Sequence, residues 1–497
     1  MNARDFDLAG CDEGDRKSGH FVQNGDAPGG KVLFVTSEIA DFVQTGGLGE
    51  VSAALPRALQ GLCDVRVLIP GYRQVLEKQA QIDVVARLSG AGEIPACDLG
   101  RLRTPDGLNV YVVLCPGLYD RPGGPYLDPE GIDWIDNDIR FARLSLAAAD
   151  IAMGAGDPNW KPDNLHLNDW PSALASGYVQ WRGGATPSLL TIHNLAYQGV
   201  FDPERLGALA IPESAWQIDG VEFYGKLSFL KAGIYYSTHL TTVSSTYARE
   251  ITAPEFGCGL HGLLAQRAGQ GRLSGILNGI DSTWDASEET RERGFDPDRW
   301  KSRHADYVRG KFGLALSGGP LFAIISRLVH QKGVDLALQA AESIVESGGQ
   351  IVVTGQGEAQ LEDLMNDMAK RHPGSVGVRI GFDNAEARAM FAGSDFLLMP
   401  SRFEPCGLSQ MYAQKSGSLP IATRTGGLAD TIEDGRTGFL FGKATAGGLT
   451  GAVRRALVTF GSDRRLNEMR RAAMAMRFDW RESASRYTRL YRQASTG

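Results

Sequence analysis

The amino-acid sequence predicts an α/β protein built from two Rossmann-like, doubly wound parallel-sheet domains that face each other across a cleft. Three observations carry this. The chain has 497 residues, too many for one hydrophobic core, because cores stop growing at roughly 250 to 300 residues. Short apolar runs alternate with helical patterns in two separate series, and a polar, charged stretch lies between the series.

Residues 1–30 are rich in Gly and Asp and lack apolar periodicity, so a disordered N-terminal tail is expected there. From Lys31, KVLFVTSE reads as a buried strand. A glycine-rich turn, the helix VSAALPRALQG and the strand VRVLIPGY complete a βαβ unit. The runs NVYVVLC, HLN, SLLTIHN and HLTTVS continue the alternation, as a parallel sheet covered by helices requires. The first domain is expected over 31–273. A second series opens with PLFAIISRL and passes through IVVTGQG, VGVRIGF, DFLLMPS and LPIATRT, each followed by a helical pattern, and predicts a second domain over 274–475. Between them, residues 284–310 read as a surface connection, with the hinge just before it. No repeat of about 20 to 50 residues is visible, which excludes solenoids and propellers.

Composition narrows the function. A hydrophobic share of 43% with 22% charged residues is ordinary for a globular protein. The net charge of −7 offers no electrostatic footprint for nucleic acid or an anionic membrane, so neither is expected as a partner. The cysteines, Cys11, Cys63, Cys97, Cys115, Cys258 and Cys406, are scattered without metal-ligand spacing and read as reduced thiols. No apolar run reaches the roughly 18 residues that span a bilayer, and the first residues lack a basic start followed by an apolar stretch. A cytoplasmic location is expected.

Glycine turns and charged loops at strand ends carry the chemistry. In QTGGLGEV, which runs from Gln44 to Val51, Gly46 and Gly47 stand between strand and helix, where backbone amides can approach an anion. RTGGLADT, with Thr425, Gly426, Gly427 and Leu428, repeats the turn in the second domain. Ligands of open parallel sheets sit beyond the carboxyl ends of the strands, so both turns are expected to face one substrate. ISRLVHQKG places Arg327 and Lys332 after a strand, two cations suited to a diphosphate. In SRFEPCGL, Glu404 is a carboxylate able to hold sugar hydroxyls or to balance positive charge at an anomeric carbon, beside Cys406, a packed small residue rather than a nucleophile, and Gly407. His193 in TIHNLAYQG and Asp169 with Trp170 in HLNDWPS stand at strand ends of the first domain. DND at Asp136 to Asp138 and DPD at Asp296 to Asp298 resemble acidic metal pairs but read as solvated charge, so no metal is expected. VVTGQGE lacks the third glycine of a dinucleotide site.

Taken together, TSEIADFVQTGGLGEVSAALPRAL, LHLNDWPSALAS, TIHNLAYQGVF, SFLKAGIYYSTHLTTVSSTYAREI, LNGID, ISRLVHQKG and PSRFEPCGLSQMYA followed by RTGGLADTI resemble the bacterial glycogen synthases and plant starch synthases, in order from Lys31 to Tyr487. The resemblance implies a GT-B arrangement, with the first domain on the acceptor side, the second on the nucleotide-sugar donor side, and a C-terminal helix over 476–497 returning to the first domain. It implies transfer of glucose from ADP-glucose to the nonreducing end of an α-1,4-glucan such as glycogen, with retention of configuration and without a metal or other cofactor. Arg327 and Lys332 would hold the diphosphate, Glu404 would orient the donor glucose, and the amides of the second turn would bind phosphate and sugar. His193, Asp169 and Asn278 match positions around the glucose, and Phe382 matches an aromatic that packs on adenine. Three departures stand out. Gln44 replaces the family's lysine, Asn168 its second histidine in HxHDW, and Glu50 its aspartate. They leave open a relative with another donor or acceptor, or one that binds glucan with weak or no transfer.

Overall fold

The structure, a computed structural model, describes residues 30–78, 81–284 and 297–496. The expected tail, Gly30 apart, lies outside the described residues, as do Asp296 of DPD and much of the charged connection.

Among the described residues the first domain carries a nine-stranded sheet. Its order runs Leu273–Gly275, His239–Thr242, Ser188–Ile192, Asn164–Asn168, Lys31–Val35, Asp64–Pro70, Asn109–Leu114, Cys97–Arg103 and Asp83–Leu88. The first seven of these run parallel. Val32 through Val35 are buried without alternation, because helices cover both faces of the sheet and leave no wet side. The last two strands differ from the expectation of a purely parallel sheet, since Cys97–Arg103 runs antiparallel to both neighbours. The outermost strand, DVVARL, is half exposed, and its apolar residues are clustered rather than alternating, so no strand period marks it. A small sheet of Val200–Phe201, Glu222–Phe223 and Lys226–Ser228 sits apart from the main one.

The second sheet has six strands, all parallel: Val376–Ile380, Gln350–Gly355, Leu321–Ile325, Phe396–Met399, Leu419–Thr423 and Phe439–Phe441. In each sheet the chain starts in the middle, winds to one side and then returns to the other. The reversal falls between Lys31–Val35 and Asn164–Asn168 in the first sheet, and between Leu321–Ile325 and Phe396–Met399 in the second. Loops leaving those strands diverge and open a crevice.

The two domains are joined twice. Ile280 N donates to Phe478 O at 2.7 Å, so the outgoing and returning strands of chain lie side by side. The final helix, Trp480–Thr496, then packs on the first domain against the helix Gly47–Leu59. Tyr487 and Tyr491 are fully buried there, with the Tyr491 hydroxyl 2.6 Å from His166 Nδ1.

Candidate active site

The loop leaving Leu321–Ile325 holds Arg327 and Lys332, and the loop leaving Phe396–Met399 holds Glu404. Gly333 locks the two together. Its φ is +67°, and a Cβ there would come within 2.1 Å of the Pro400 carbonyl oxygen, so only glycine fits. The result is a close ion pair of Lys332 Nζ with Glu404 Oε2 at 2.5 Å, and Ser401 Oγ donates to the same oxygen at 3.1 Å. The side chain of Glu404 is 6% exposed and that of Lys332 is 18% exposed. Arg327 reaches the other way and donates to the Tyr197 hydroxyl of the first domain at 3.3 Å.

In the first domain, Asp169 and His193 stand just beyond the strands Asn164–Asn168 and Ser188–Ile192. Asp169 sits at φ +53°, in the left-handed region that costs a side-chain-bearing residue on the order of 1 kcal/mol or more. The strain aims its carboxylate back at the loop after Ser188–Ile192, where Oδ1 accepts from His193 N at 2.7 Å. Burial pushes the Asp169 carboxyl up to about 7, against the pull of those amides and with help from Glu38 nearby. Burial lowers His193 to about 3, so the ring is neutral near pH 7. Asn168 Nδ2 donates to Val35 O at 3.0 Å, which leaves Oδ1 to face His193 Nε2 at 2.9 Å. A carbonyl oxygen only accepts, so the proton of His193 resides on Nε2 and Nδ1 is left as the acceptor.

The glycine turns behave differently from expectation. Thr45 N and Gly46 N donate to Glu38 Oε2 at 2.6 and 3.1 Å, and Gly426 N donates to Glu250 Oε1 at 3.1 Å. Gly427 N donates to Glu404 O at 3.0 Å. These amides therefore already hold protein oxygens. The glycines of the second turn are needed for close approach, since a Cβ at Gly426 would lie 1.9 Å from Glu404 O and one at Gly427 would lie 2.0 Å from Cys406 O. Thr425 is buried with its hydroxyl on Glu250, and Leu428 lies wholly in the core. In the first turn Gln44, Gly46 and Gly47 remain exposed. Gln44 Nε2 is 3.4 Å from Glu50 Oε1, and the other oxygen of Glu50 accepts from the Tyr412 hydroxyl of the second domain.

The remaining candidates divide. Asn278 is 5% exposed, and its Oδ1 has no partner among the described residues, an acceptor that a ligand or water has to satisfy. Cys406 is buried and its thiol is pushed up to about 12, which makes it unreactive as a nucleophile. Gly407 takes φ +70° at the end of the Glu404 loop. Phe382 is 63% exposed, just beyond Val376–Ile380. The acidic run DND is not solvated as expected. Asp138 is 5% exposed and accepts from Arg205 Nε at 2.6 Å, and Asp136 pairs with Arg121. Sequence reasoning missed Tyr197, Glu38, Glu50 as a contact, Glu250 and Tyr412. Tyr197 lay inside TIHNLAYQG as an exposed aromatic, a readable signal, whereas the others are ordinary helix or loop residues whose partners are remote in sequence.

Two facing Rossmann-like sheets with a basic pair and a carboxylate at one switch point define a GT-B glycosyltransferase. Residues 31–266 match the starch synthase catalytic domain, and residues 311–472 match glycosyl transferases group 1. The chain is 57% identical to a glycogen synthase of Pseudomonas putida, covering 95% of this chain and 93% of that protein. It is also 57% identical to glycogen synthase 1 of Bradyrhizobium diazoefficiens, over 91% of this chain and 99% of that one. The catalytic domain of starch synthase IV from Arabidopsis thaliana, solved with ADP and acarbose, superposes with a TM-score of 0.82 at 28% identity, covering 94% of this chain and all of that one. The chain belongs to the glycogen and starch synthase family.

Proposed function

We propose that this protein transfers glucose from ADP-glucose to the nonreducing end of an α-1,4-glucan, with retention and without a metal. In this reading residues 31–273 form the acceptor side and 274–475 the donor side. The observation that carries it is the close pair of Lys332 with Glu404 at the switch point of the second sheet, with Arg327 on the same loop as Lys332 and reaching to Tyr197 of the first domain. Breaking the glycosidic bond leaves an oxocarbenium-like centre and new negative charge on the diphosphate. Arg327 grips that diphosphate through its planar fork, and Lys332, already held by Glu404, adds a point charge to the leaving group. Glu404 keeps an oxygen for sugar hydroxyls. Asn278 Oδ1 takes a donor hydroxyl, and the free Nδ1 of His193 accepts another. Phe382 packs on the adenine when the donor is bound. No carboxylate is assigned as a covalent nucleophile, so attack proceeds on the face that the phosphate leaves. In this reading the reaction takes place in the cytoplasm, a compartment that keeps thiols reduced, as the five free cysteines among the described residues would be.

The test is transfer of labelled glucose to glycogen from ADP-glucose and from UDP-glucose, each with and without EDTA. Transfer from ADP-glucose that survives EDTA is expected. A preference for UDP-glucose would overturn the donor, and loss in EDTA would overturn the metal-free mechanism.

A further inference from the structure

The helix Ser245–Glu250 of the first domain and the helix Gly426–Thr431 of the second exchange carboxylates. Asp430 Oδ2 accepts from Thr246 N at 2.9 Å, and its Oδ1 accepts from Thr246 Oγ1 at 2.6 Å. In the other direction, Glu250 Oε1 accepts from Thr425 Oγ1 at 2.9 Å, and both its oxygens lie 3.1 Å from Gly426 N. The two ends of this clasp have different neighbours. At the Asp430 end, Thr246 Oγ1 also accepts from Arg249 of its own helix. At the Glu250 end, the turn touches the donor loop. Gly427 N donates to Glu404 O at 3.0 Å and to Pro405 O at 3.2 Å, and Ser244 Oγ of the first domain donates to Pro405 O at 2.6 Å.

From this we infer that Glu250 is a positioning residue for Glu404, acting from the opposite domain. Resting on the functional reading above, this deepens it. Glu250 fixes Thr425 and Gly426, Gly427 carries that position to the main chain of Glu404, and the Glu404 carboxylate meets Lys332. The left-handed Gly426 makes the link stiff, since the Glu404 carbonyl sits where any side chain would be. When the domains part, the glycine turn loses Glu250 as the Glu404 loop loses Ser244. Lys332 and Ser401 stay with Glu404 in the second domain, but its main chain has its full support only while the domains are docked, so an open molecule holds its donor with Glu404 less well set for transfer or hydrolysis.

The experiment compares the full-length parent, Glu250→Ala, Glu250→Gln and Asp430→Ala by kcat, KM for ADP-glucose, and Tm. Glu250→Ala is expected to lower kcat about tenfold or more while KM stays within about twofold, because a misplaced Glu404 is felt chiefly in the transition state. Glu250→Gln keeps an oxygen for Gly426 N–H and is expected to recover most of kcat. Asp430→Ala removes the other half of the clasp and is expected to lower Tm with kcat within about twofold of the parent. Equal losses of kcat in Glu250→Ala and Asp430→Ala would reduce the clasp to structural support, and a parental kcat in Glu250→Ala would remove Glu250 from positioning. If Glu250→Ala yields no folded protein, Glu250→Asp takes its place, with a lowered kcat expected and a parental one overturning the proposal. A parent that transfers no glucose from ADP-glucose sinks the donor reading, whereas an active parent with an indifferent Glu250→Ala sinks the positioning role alone.

Discussion

Lys332 has two tasks that one substitution separates. It neutralises Glu404, whose side chain is 6% exposed, and it supplies charge to the leaving diphosphate. Lys332→Ala should cost about two to three decades in turnover and also lower Tm, because it leaves a buried carboxylate without its cation. A variant within twofold of the parent would remove Lys332 from the chemistry. Gln44 is subtler. The loss of a charged donor there should slow the natural protein by roughly 2- to 30-fold, so Gln44→Lys should raise kcat/KM within that range. Glu50 Oε1, 3.4 Å from Gln44 Nε2, would meet the new ammonium and draw the gain towards the lower end. A fall in kcat/KM would reopen the ADP-glucose assignment. Asp169 makes the third case. Its folded pKa of about 7 exceeds the usual value near 3.9, so between those pH values the unfolded chain ionises first and stability falls as pH rises. Asp169→Asn removes that term. The Tm of the variant relative to the parent should therefore rise from pH 4 to pH 7.5, and a flat difference would show that Asp169 ionises normally.

At the scale of elements, Tyr491 and His166 join the last helix to the strand Asn164–Asn168 through a fully buried bond. Tyr491→Phe leaves the ring nitrogen unpaired at a cost of about 1 to 3 kcal/mol, which should appear as a Tm lower by several degrees, with KM for the donor unchanged. An unchanged Tm would mean that water replaces the hydroxyl. The strands that were legible in the sequence are those buried on both faces, such as Lys31–Val35 and Leu321–Ile325, whose unbroken apolar runs leave little choice of structure. The edge strand Asp83–Leu88 was not legible, because the apolar residues of DVVARL neither alternate nor form a long unbroken run. The site divides the same way. Arg327, Lys332, Glu404, Asp169 and His193 sit just past readable strands, so their placement follows from the sheet. The engagement of the Gly46 and Gly426 amides by Glu38 and Glu250 does not. Glu250 lies 176 residues from Gly426, and nothing local in AREI marks its carboxylate for that turn.

For the molecule as a whole, the hydrogen bonds between the domains include Glu50 with Tyr412, Ser244 with Pro405, Glu250 with Thr425 and Gly426, Thr246 with Asp430, and Arg327 with Tyr197. These few polar contacts resemble a transient interface, so the ligand-free protein should spend time with the domains apart. Small-angle scattering should give a radius of gyration that shrinks on adding ADP and a glucan oligomer. An unchanged radius at saturating ligand would mean that the docked arrangement is permanent.

The return of Trp480–Thr496 to the first domain also bears on how the protein is made. Its tyrosines cover His166, so the first half of the gene product cannot finish its own interior. During translation that half emerges and waits, with one flank unsealed, while the entire second domain is polymerised. At ordinary elongation rates the delay is on the order of ten to forty seconds. A ribosome that stalls or terminates within the second domain therefore releases an unsealed half for chaperones and proteases to recognise, and the returning helix certifies that the second domain has been made.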